Sequence, residues 1–249
     1  MFQIHGCHPV RFLLSRALWA SRLSSFFTIQ GVGYKLRFYP SSVSAVMWCS
    51  PGLFQRDETV LRTILRPGDV FVDVGANIGA LSLAGSSMVG ETGHVYAIEA
   101  HPRTVEYLRG NVKFNQACNV SVIHAALGDH DGRAFFSDRR SDDQNSVSES
   151  GIEVPLRMLD QVIPDIPVRL LKIDVEGFEL FVLRGAARLL QKTEMVYFES
   201  FESHFKKFGY TTGDLLAYLA EAGFDTKVPM DYRSEHCENL LAERPLNRS

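Results

Sequence analysis

A glycine-rich turn is the first feature of this sequence whose residue types could do chemistry. Residues 73–79 read DVGANIG and follow a short apolar run. A chain that leaves a buried strand and enters a helix must turn sharply, and glycine tolerates the dihedral angles that such a turn needs. Asn77 tolerates a left-handed conformation, and the helix that follows offers free N–H groups. Gly75, Asn77 and Gly79 are therefore predicted to hold a nucleotide-like ligand.

The acids around this turn narrow the class of ligand. Dinucleotide-binding turns read G-x-G-x-x-G, whereas this turn reads G-x-N-x-G and lacks the third glycine. Asp73 adds a negative charge that disfavours a pyrophosphate and favours a cation such as a sulfonium or an amino group. Glu99 ends the next predicted strand, where its two carboxylate oxygens could accept both hydroxyls of a ribose. The pattern indicates a nucleoside that carries a cationic group.

A second group of acids is predicted to face the same crevice. Asp174 and Glu176 follow the apolar run LLKI, and Glu199 ends the run VYFE. A carboxylate beside an acceptor hydroxyl can take its proton during group transfer, and positioning supplies much of the remaining rate. The three acids could instead hold a divalent cation that orients a diol, but no ligand spacing is diagnostic, so no metal site is predicted. His204 could reach the crevice as a base or lie on the surface, and Glu179 is expected to cap a helix.

Alternating strands and helices position these residues. The pattern predicts a mostly parallel sheet covered by helices on both faces, and ligands of such sheets bind at the carboxyl ends of the strands. The strands are predicted at 70–74, 94–99, 120–126, 168–174 and 195–199, with a small extra strand at 133–136 and a terminal hairpin of 224–228 and 239–242. The helices are predicted at 57–65, 78–88, 101–115, 178–191 and 214–222, and a polar loop at 138–150.

Composition excludes several other classes of protein. The chain has 249 residues, of which 45% are hydrophobic and 22% charged, as in soluble globular proteins. A net charge of −3 argues against electrostatic binding of nucleic acid. Four scattered cysteines without a Cys-x-x-Cys pair argue against a disulfide framework or a zinc ribbon. We expect reduced thiols and a cytoplasmic protein.

The first 56 residues differ from the rest in charge. They contain six basic residues and no acid, whereas residues 57–249 carry a formal charge of −9. The stretch 11–27 is apolar, but it is too short and too often interrupted by Arg and Ser to span a bilayer. It could pack on the main domain and shape the acceptor site, lie on a membrane as an amphipathic helix, or act as a transit segment. The predicted division is a basic segment at 1–56, a helical cap or membrane-facing element, and one domain at 57–249.

Four stretches of the chain resemble one known family. FVDVGANIG, YAIEAHP, HAALGD and LLKIDVEGFELFVLRGA are similar to segments of the FkbM family of S-adenosylmethionine-dependent methyltransferases. The similarity runs from about residue 57 to about residue 205. It implies the class I methyltransferase fold, a Rossmann-like α/β fold with a seven-stranded sheet and a reversed terminal strand.

The resemblance also implies a cofactor, S-adenosylmethionine, and a role for each motif. The methionine part of the cofactor would lie against the turn, at Asp73, Gly75, Asn77 and Gly79. Glu99 would bind the ribose, and Ala126 and Leu127 would lie against the adenine. Asp174 and Glu176 would face the methyl group and the acceptor, with Glu199 in the same crevice. The implied acceptor is a hydroxyl of a small molecule such as a sugar, a polyketide or a glycolipid.

Three other functions make different demands on the sequence. An NAD(P)-dependent oxidoreductase would need the dinucleotide turn that is missing here. A nucleic-acid methyltransferase that acts on amino groups of adenine would carry an Asn/Asp-Pro-Pro-aromatic motif, where this chain has Asp174-Val-Glu-Gly. We therefore expect a small-molecule partner and no nucleic acid. A cofactor-binding protein without catalytic activity stays open.

Overall fold

A computed structural model describes residues 9–21, 23–50, 52–137, 145–227 and 237–245. The strands in these ranges are β1 Thr28–Gln30, β2 Lys35–Arg37, β3 Val70–Val74, β4 His94–Glu99, β5 Val120–His124, β6 Ala126–Leu127, β7 Gly132–Phe136, β8 Val147–Ser148, β9 Ile152–Arg157, β10 Val168–Ile173, β11 Thr193–Ser200, β12 Asp225–Lys227 and β13 Glu238–Glu243. The helices are α1 Pro9–Ala20, α2 Ser42–Cys49, α3 Gln55–Ile64, α4 Ala80–Val89, α5 Pro102–Phe114, α6 Leu159–Val162, α7 Glu179–Arg184, α8 Ala187–Leu190, α9 Glu202–Lys207 and α10 Thr212–Glu221.

Seven strands form the central sheet in the order β12-β13-β11-β10-β3-β4-β5. The five strands β11, β10, β3, β4 and β5 are parallel to one another. Strand β13 runs antiparallel to both β11 and β12, with Ala242 opposite Val196 and Thr226. The mostly parallel sheet and the reversed strand near the chain terminus confirm the predicted α/β fold.

Both faces of this sheet are buried, which explains why its strands read as apolar runs. Side chains of a strand alternate between the two faces. In β10, Leu171 packs in the cluster that contains residues of α7, α8 and α10. Its neighbour Leu170 packs in the cluster that contains residues of α3 and α4. The helices therefore cover the sheet on both faces, as predicted.

A second sheet, with the order β6-β9-β7-β8, was only partly predicted. The extra strand at 133–136 is confirmed as part of β7. The prediction of one strand over 120–126 is wrong, because β5 ends at His124 and Ala126 pairs with Leu156 of β9 instead. The predicted loop at 138–150 contains β8, and its residues 138–144 lie outside the described ranges. Strand β9 contains Pro155, which argues against a strand when only the sequence is read.

The single helix predicted over 178–191 is also wrong, because it divides into α7 and α8. The division falls at Gly185, which lies close to the second sheet. A Cβ on Gly185 would lie 2.0 Å from the carbonyl oxygen of Gly128, just after β6. The helix is interrupted where the chain passes this carbonyl group, and only glycine fits there.

The N-terminal segment packs on the domain that follows it. Helix α1 contacts α2, and its Leu18 and Trp19 pack against one of the two large core clusters. Leu36 of β2 and Phe71 of β3 both belong to that cluster. The division at residue 57 therefore stays a prediction. No helix among the described residues is both long and apolar enough to cross a membrane.

The cysteines follow the prediction only in part. Cys118 and Cys237 carry free thiols. Cys49, at the end of α2, is disulfide-bonded. The expectation that the cysteines are reduced is therefore wrong for Cys49, because a scattered spacing along the chain does not exclude a single bridge.

Candidate active site

The glycine turn joins β3 to α4 with the backbone conformation that the sequence predicts. Gly75, Asn77 and Gly79 have φ values of 75°, 49° and 92°, all in the left-handed region. The N–H groups of Gly75 and Ala76 both donate to the carbonyl oxygen of Ile98, at 3.0 and 2.9 Å, which ties the turn to the end of β4. Gly79 is the N-cap of α4 and makes no side-chain cap, so the first N–H groups of that helix can face a ligand.

Gly75 is required for a reason that the sequence did not reveal. A Cβ at this position would lie 1.8 Å from the carbonyl oxygen of Asp174, in the loop after β10. The N–H of Asp174 in turn donates to the carbonyl oxygen of Val74 at 3.1 Å. The missing side chain thus allows two loops to touch, in addition to any room that it leaves for a ligand.

Glu99 lies beside the turn with a carboxylate that suits a diol. It is 7% exposed, and its two oxygens accept the N–H groups of Asn77 and His101 at 2.9 and 2.8 Å. A carboxylate carries two acceptor oxygens, which suits the two neighbouring hydroxyls of a ribose. The residues present therefore fit the ribose of the implied cofactor, and the contact itself stays a prediction.

Ala126 and Leu127 lie next to this position. Both are buried, and Leu127 packs in the same cluster as Val74 and Ile98 at the ends of β3 and β4. Ala126 packs with Ala100, the residue after Glu99. An apolar wall thus stands beside the predicted ribose site, where an adenine ring would lie, and that contact also stays a prediction.

Asp73 is fully buried and faces the protein interior. Its Oδ1 lies 3.2 Å from Nζ of Lys172, and its Oδ2 accepts the hydroxyl of Ser82 at 2.5 Å. The predicted contact of Asp73 with the methionine part of the cofactor stays a prediction. The structure shows that its carboxylate compensates a buried cation under the turn.

Lys172 is the site residue that the sequence reading missed. Its Nζ also lies 3.5 Å from Oδ2 of Asp174 and 3.2 Å from the carbonyl oxygen of Gly75. Burial alone would lower the pKa of Lys172, but Asp73 and Asp174 outweigh it and hold the pKa above its ordinary value. The available signal was a lone cation within the apolar run LLKI, since a buried lysine needs a partner.

Glu176, Glu199 and His204 come together at the same edge of the sheet. Nδ1 of His204 lies 3.2 Å from Oε2 of Glu176 and 3.8 Å from Oε2 of Glu199, although it makes no aligned hydrogen bond. Their side chains are 19%, 23% and 14% exposed for His204, Glu176 and Glu199. The candidate ligand atoms of the three residues lie within 4.8 Å of one another. The structure thus places His204 in the crevice and not on the open surface.

The loop between β10 and α7 makes this arrangement possible. Glu176 and Gly177 have φ values of 58° and 106°, and a Cβ on Gly177 would lie 3.0 Å from Cβ of His204. The loop is fastened by Glu179, which is fully buried and accepts the N–H groups of Val175 and Gly177 at 3.0 and 3.3 Å. The predicted capping role of Glu179 is wrong, because α7 has no side-chain cap and Glu179 instead binds N–H groups of the loop ahead of the helix.

The environment drives the pKa values of two neighbouring acids apart. Burial raises the pKa of Asp174; Lys172 opposes this effect and Glu199 adds to it. The Asp174 side chain is nevertheless 40% exposed. Burial would also raise the pKa of Glu199, but contacts with His204 and Cys237 hold it below its ordinary value. Glu199 is therefore ionised at neutral pH and can stabilise a positive charge on His204.

Fold and sequence comparisons define the class of this protein. A solved S-adenosylmethionine-dependent methyltransferase from Aquifex aeolicus is similar over 83% of this chain and 98% of its own, with a TM-score of 0.52 and 19% identity. The chain has the class I methyltransferase fold of that protein. The family model of the methyltransferase FkbM domain matches residues 73–226. The chain belongs to the FkbM methyltransferase family, as its motifs predict.

Curated relatives with different acceptors match parts of the chain. A protein-L-isoaspartate O-methyltransferase of Methanothrix thermoacetophila is 34% identical over 100 residues, which are 40% of this chain and 45% of that protein. The chain therefore spans about half the length of that relative. The hexuronic acid methyltransferase AglP of Haloferax volcanii is 28% identical over 212 residues, 82% of this chain and 83% of its own. The shared property is methyl transfer.

Replacing Glu99 is expected to weaken cofactor binding. In Glu99→Gln one oxygen stays to accept a backbone N–H, while the ribose loses a charged acceptor, so the affinity for S-adenosylhomocysteine should fall by about 1–3 kcal/mol. Titration calorimetry measures the change. Glu106→Gln, on the exposed face of α5, is the matched control and should bind as the wild type does. Unchanged affinity in Glu99→Gln would remove this residue from the site.

Glu179 is expected to make stability depend on pH. Burial and the nearby charge of Glu199 raise its pKa from 4.5 to about 8. Because the folded state favours the protonated carboxyl, its ionisation should lower stability as pH rises from about 4.5 through 8, by at most roughly 4–5 kcal/mol. Glu179→Gln cannot ionise, so its free energy of unfolding in urea should rise relative to that of the wild type as pH increases across this window. Glu221→Gln, at the exposed end of α10, should track the wild type throughout; equal pH dependence in all three proteins would contradict the assignment.

Proposed function

We propose that the protein transfers a methyl group to a hydroxyl of a sugar, with His204 as the base. One observation carries the proposal, namely the imidazole held between Glu176 and Glu199 at the carboxyl ends of the parallel strands. Base, orienting acid and acceptor crevice are the components that deprotonation of a hydroxyl needs. The turn at 75–79 and Glu99 lie at the neighbouring strand ends, where the cofactor would bind.

Each residue has a separate task in this proposal. S-adenosylmethionine, when bound, supplies an electrophilic methyl group on a sulfonium. His204 accepts the hydroxyl proton at Nε2, because its Nδ1 faces the two carboxylates. Glu199, ionised and 14% exposed, lies 3.8 Å from Nδ1 and stabilises by its charge the imidazolium that forms. Asp174, whose side chain is 40% exposed and lies 3.5 Å from Nζ of Lys172, accepts a hydrogen bond from the acceptor diol.

The charge of the crevice favours a hydroxyl over a carboxylate as the acceptor. Asp174, Glu176 and Glu199 are all acidic, so the carboxylate of an acceptor would be repelled. A carboxylate acceptor is also already ionised at neutral pH and needs no base. The relative AglP, a hexuronic acid methyltransferase, supports a sugar and leaves the carboxyl group of a uronic acid as the second candidate.

The chemical stability of the product distinguishes the two acceptors. Purified protein is incubated with S-adenosylmethionine labelled in its methyl group and with a neutral hexoside or with glucuronic acid. A methyl ether resists mild alkali, whereas a methyl ester is hydrolysed. We expect alkali-stable label on sugar hydroxyls. Label that mild alkali releases would assign the carboxyl group, and no transfer to either sugar would overturn the sugar proposal.

A further inference from the structure

Exposed apolar side chains are concentrated near the N-terminus. Six of the seven large hydrophobic residues that are exposed in the described part of the chain lie between residues 13 and 32. We call them the N-terminal apolar patch: Leu13, Leu14, Leu23, Phe26, Phe27 and Val32, with exposures from 42% to 79%. The seventh, Phe135, belongs to the second sheet and is 45% exposed. Single exposed apolar residues are normal, but six within 20 residues of the chain are more than scattered exposure accounts for.

Packing against the domain does not account for the apolar face of α1. The buried Ser15 and the partly buried Leu18 and Trp19 face the protein. Leu13 and Ala17 are four positions apart in the helix and therefore share a face, which points away from that side. Both are exposed. The helix is thus apolar on the side that meets solvent as well as on the side that meets the domain.

The segment that carries the patch has charged residues of one sign only. Residues 1–56 contain no acid. Arg11, Arg16 and Lys35 are exposed. The guanidinium groups of Arg11 and Arg16 lie 5.9 and 5.3 Å from the centres of the Trp48 and Trp19 rings, at the side of α1 that adjoins the domain. A segment that is apolar on its exposed side and whose charged residues are all basic complements a surface that is apolar below and anionic above.

We infer that the N-terminal apolar patch docks the protein onto an anionic lipid surface. Insertion of leucine and phenylalanine side chains and attraction of Arg and Lys to acidic headgroups are two separate contributions, and stable peripheral binding needs more than one. The association would be peripheral, since no described helix could span a bilayer. The inference is independent of the proposed sugar acceptor and would hold for any acceptor.

Vesicle flotation of the full chain tests this inference. We expect little binding to phosphatidylcholine vesicles, clear binding when phosphatidylglycerol is added, and release at high salt. Leu13→Gln combined with Phe26→Gln removes two exposed side chains, 67% and 79% exposed, and should lower binding to the anionic vesicles roughly tenfold or more. Phe135→Gln is the matched control, an exposed apolar residue outside the patch, and should bind as the wild type does.

The contradicting outcomes are equally specific. Wild-type protein that floats with neither vesicle type, or a double variant that binds as the wild type does, would overturn the inference. Self-association that the double variant abolishes, without vesicle binding, would assign the patch to a second copy of the chain. Each variant is first checked for a thermal shift with S-adenosylhomocysteine, so that loss of binding in an unfolded protein is not counted.

Discussion

Lys172→Met is expected to destabilise the protein by about 3–5 kcal/mol, because it leaves a buried negative charge without compensation. Asp73 has no exposed surface, and Lys172 is 4% exposed, with 3.2 Å between the ammonium and the carboxylate. Methionine approximates the length and volume of lysine, so packing is largely kept and the loss of charge is isolated. Urea unfolding at neutral pH measures the change.

The double variant identifies the cause of this loss. Asp73→Asn combined with Lys172→Met removes both charges and should recover much of the stability, because a neutral pair lacks the penalty of a single buried ion. Lys113→Met, an exposed lysine of α5, is the control and should change stability by less than about 0.5 kcal/mol. If the double variant is as unstable as the sum of its parts, the ion pair is not what holds the turn and the loop together.

His204→Gln is expected to lower kcat by about 10²–10⁴-fold, the contribution that a positioned general base makes. Glutamine keeps polarity and approximate size but cannot take a proton at neutral pH. Affinity for S-adenosylhomocysteine should stay close to that of the wild type. The residues predicted to bind the cofactor lie at the end of β3 and in the loop after it, at the end of β4 and in β6, whereas His204 lies on α9. Steady-state kinetics with the sugar acceptor and calorimetry measure the two effects separately.

Two comparisons separate a base from a metal ligand. Glu176, Glu199 and His204 could together hold a divalent cation, since their ligand atoms lie within 4.8 Å of one another. Treatment with EDTA should leave kcat unchanged if His204 is the base, whereas loss of activity that Mn²⁺ restores would assign the cluster to a metal. His94→Gln, at the amino end of β4 and away from the crevice, is the control and should keep its turnover. A kcat within about twofold of the wild type for His204→Gln would remove it from the reaction.

The strands of the central sheet can be predicted from the sequence because burial on both faces makes each of them an apolar run. The strand at 70–74 is predicted to the residue, and the terminal hairpin lies within two residues of its prediction. Two other strands of the second sheet were missed because β9 contains Pro155 and β8 has two residues, which are too few to show alternation. The break at Gly185 depends on a contact with Gly128, about 57 positions away in the chain, and no local pattern records such a contact.

The candidate site divides in the same way. Residues of one local motif, such as Gly75 and Asn77, can be predicted because the turn between a strand and a helix restricts them. His204 belongs to a separate helix and reaches Glu176 only because Gly177 lets two backbones approach. Lys172 was passed over because a charge inside an apolar strand is meaningful only when its partner, Asp73 on the neighbouring strand, is seen.

If Glu176 orients His204 as proposed, its backbone conformation sets stability against activity. A residue with a side chain at a φ of 58° is held there at a cost of about 1–3 kcal/mol, which glycine or asparagine would largely avoid. Selection for heat resistance alone would therefore favour Glu176→Gly or Glu176→Asn, and each would remove a carboxylate from beside His204. Position 176 should therefore be left unchanged when variants of this methyltransferase are selected for thermal stability.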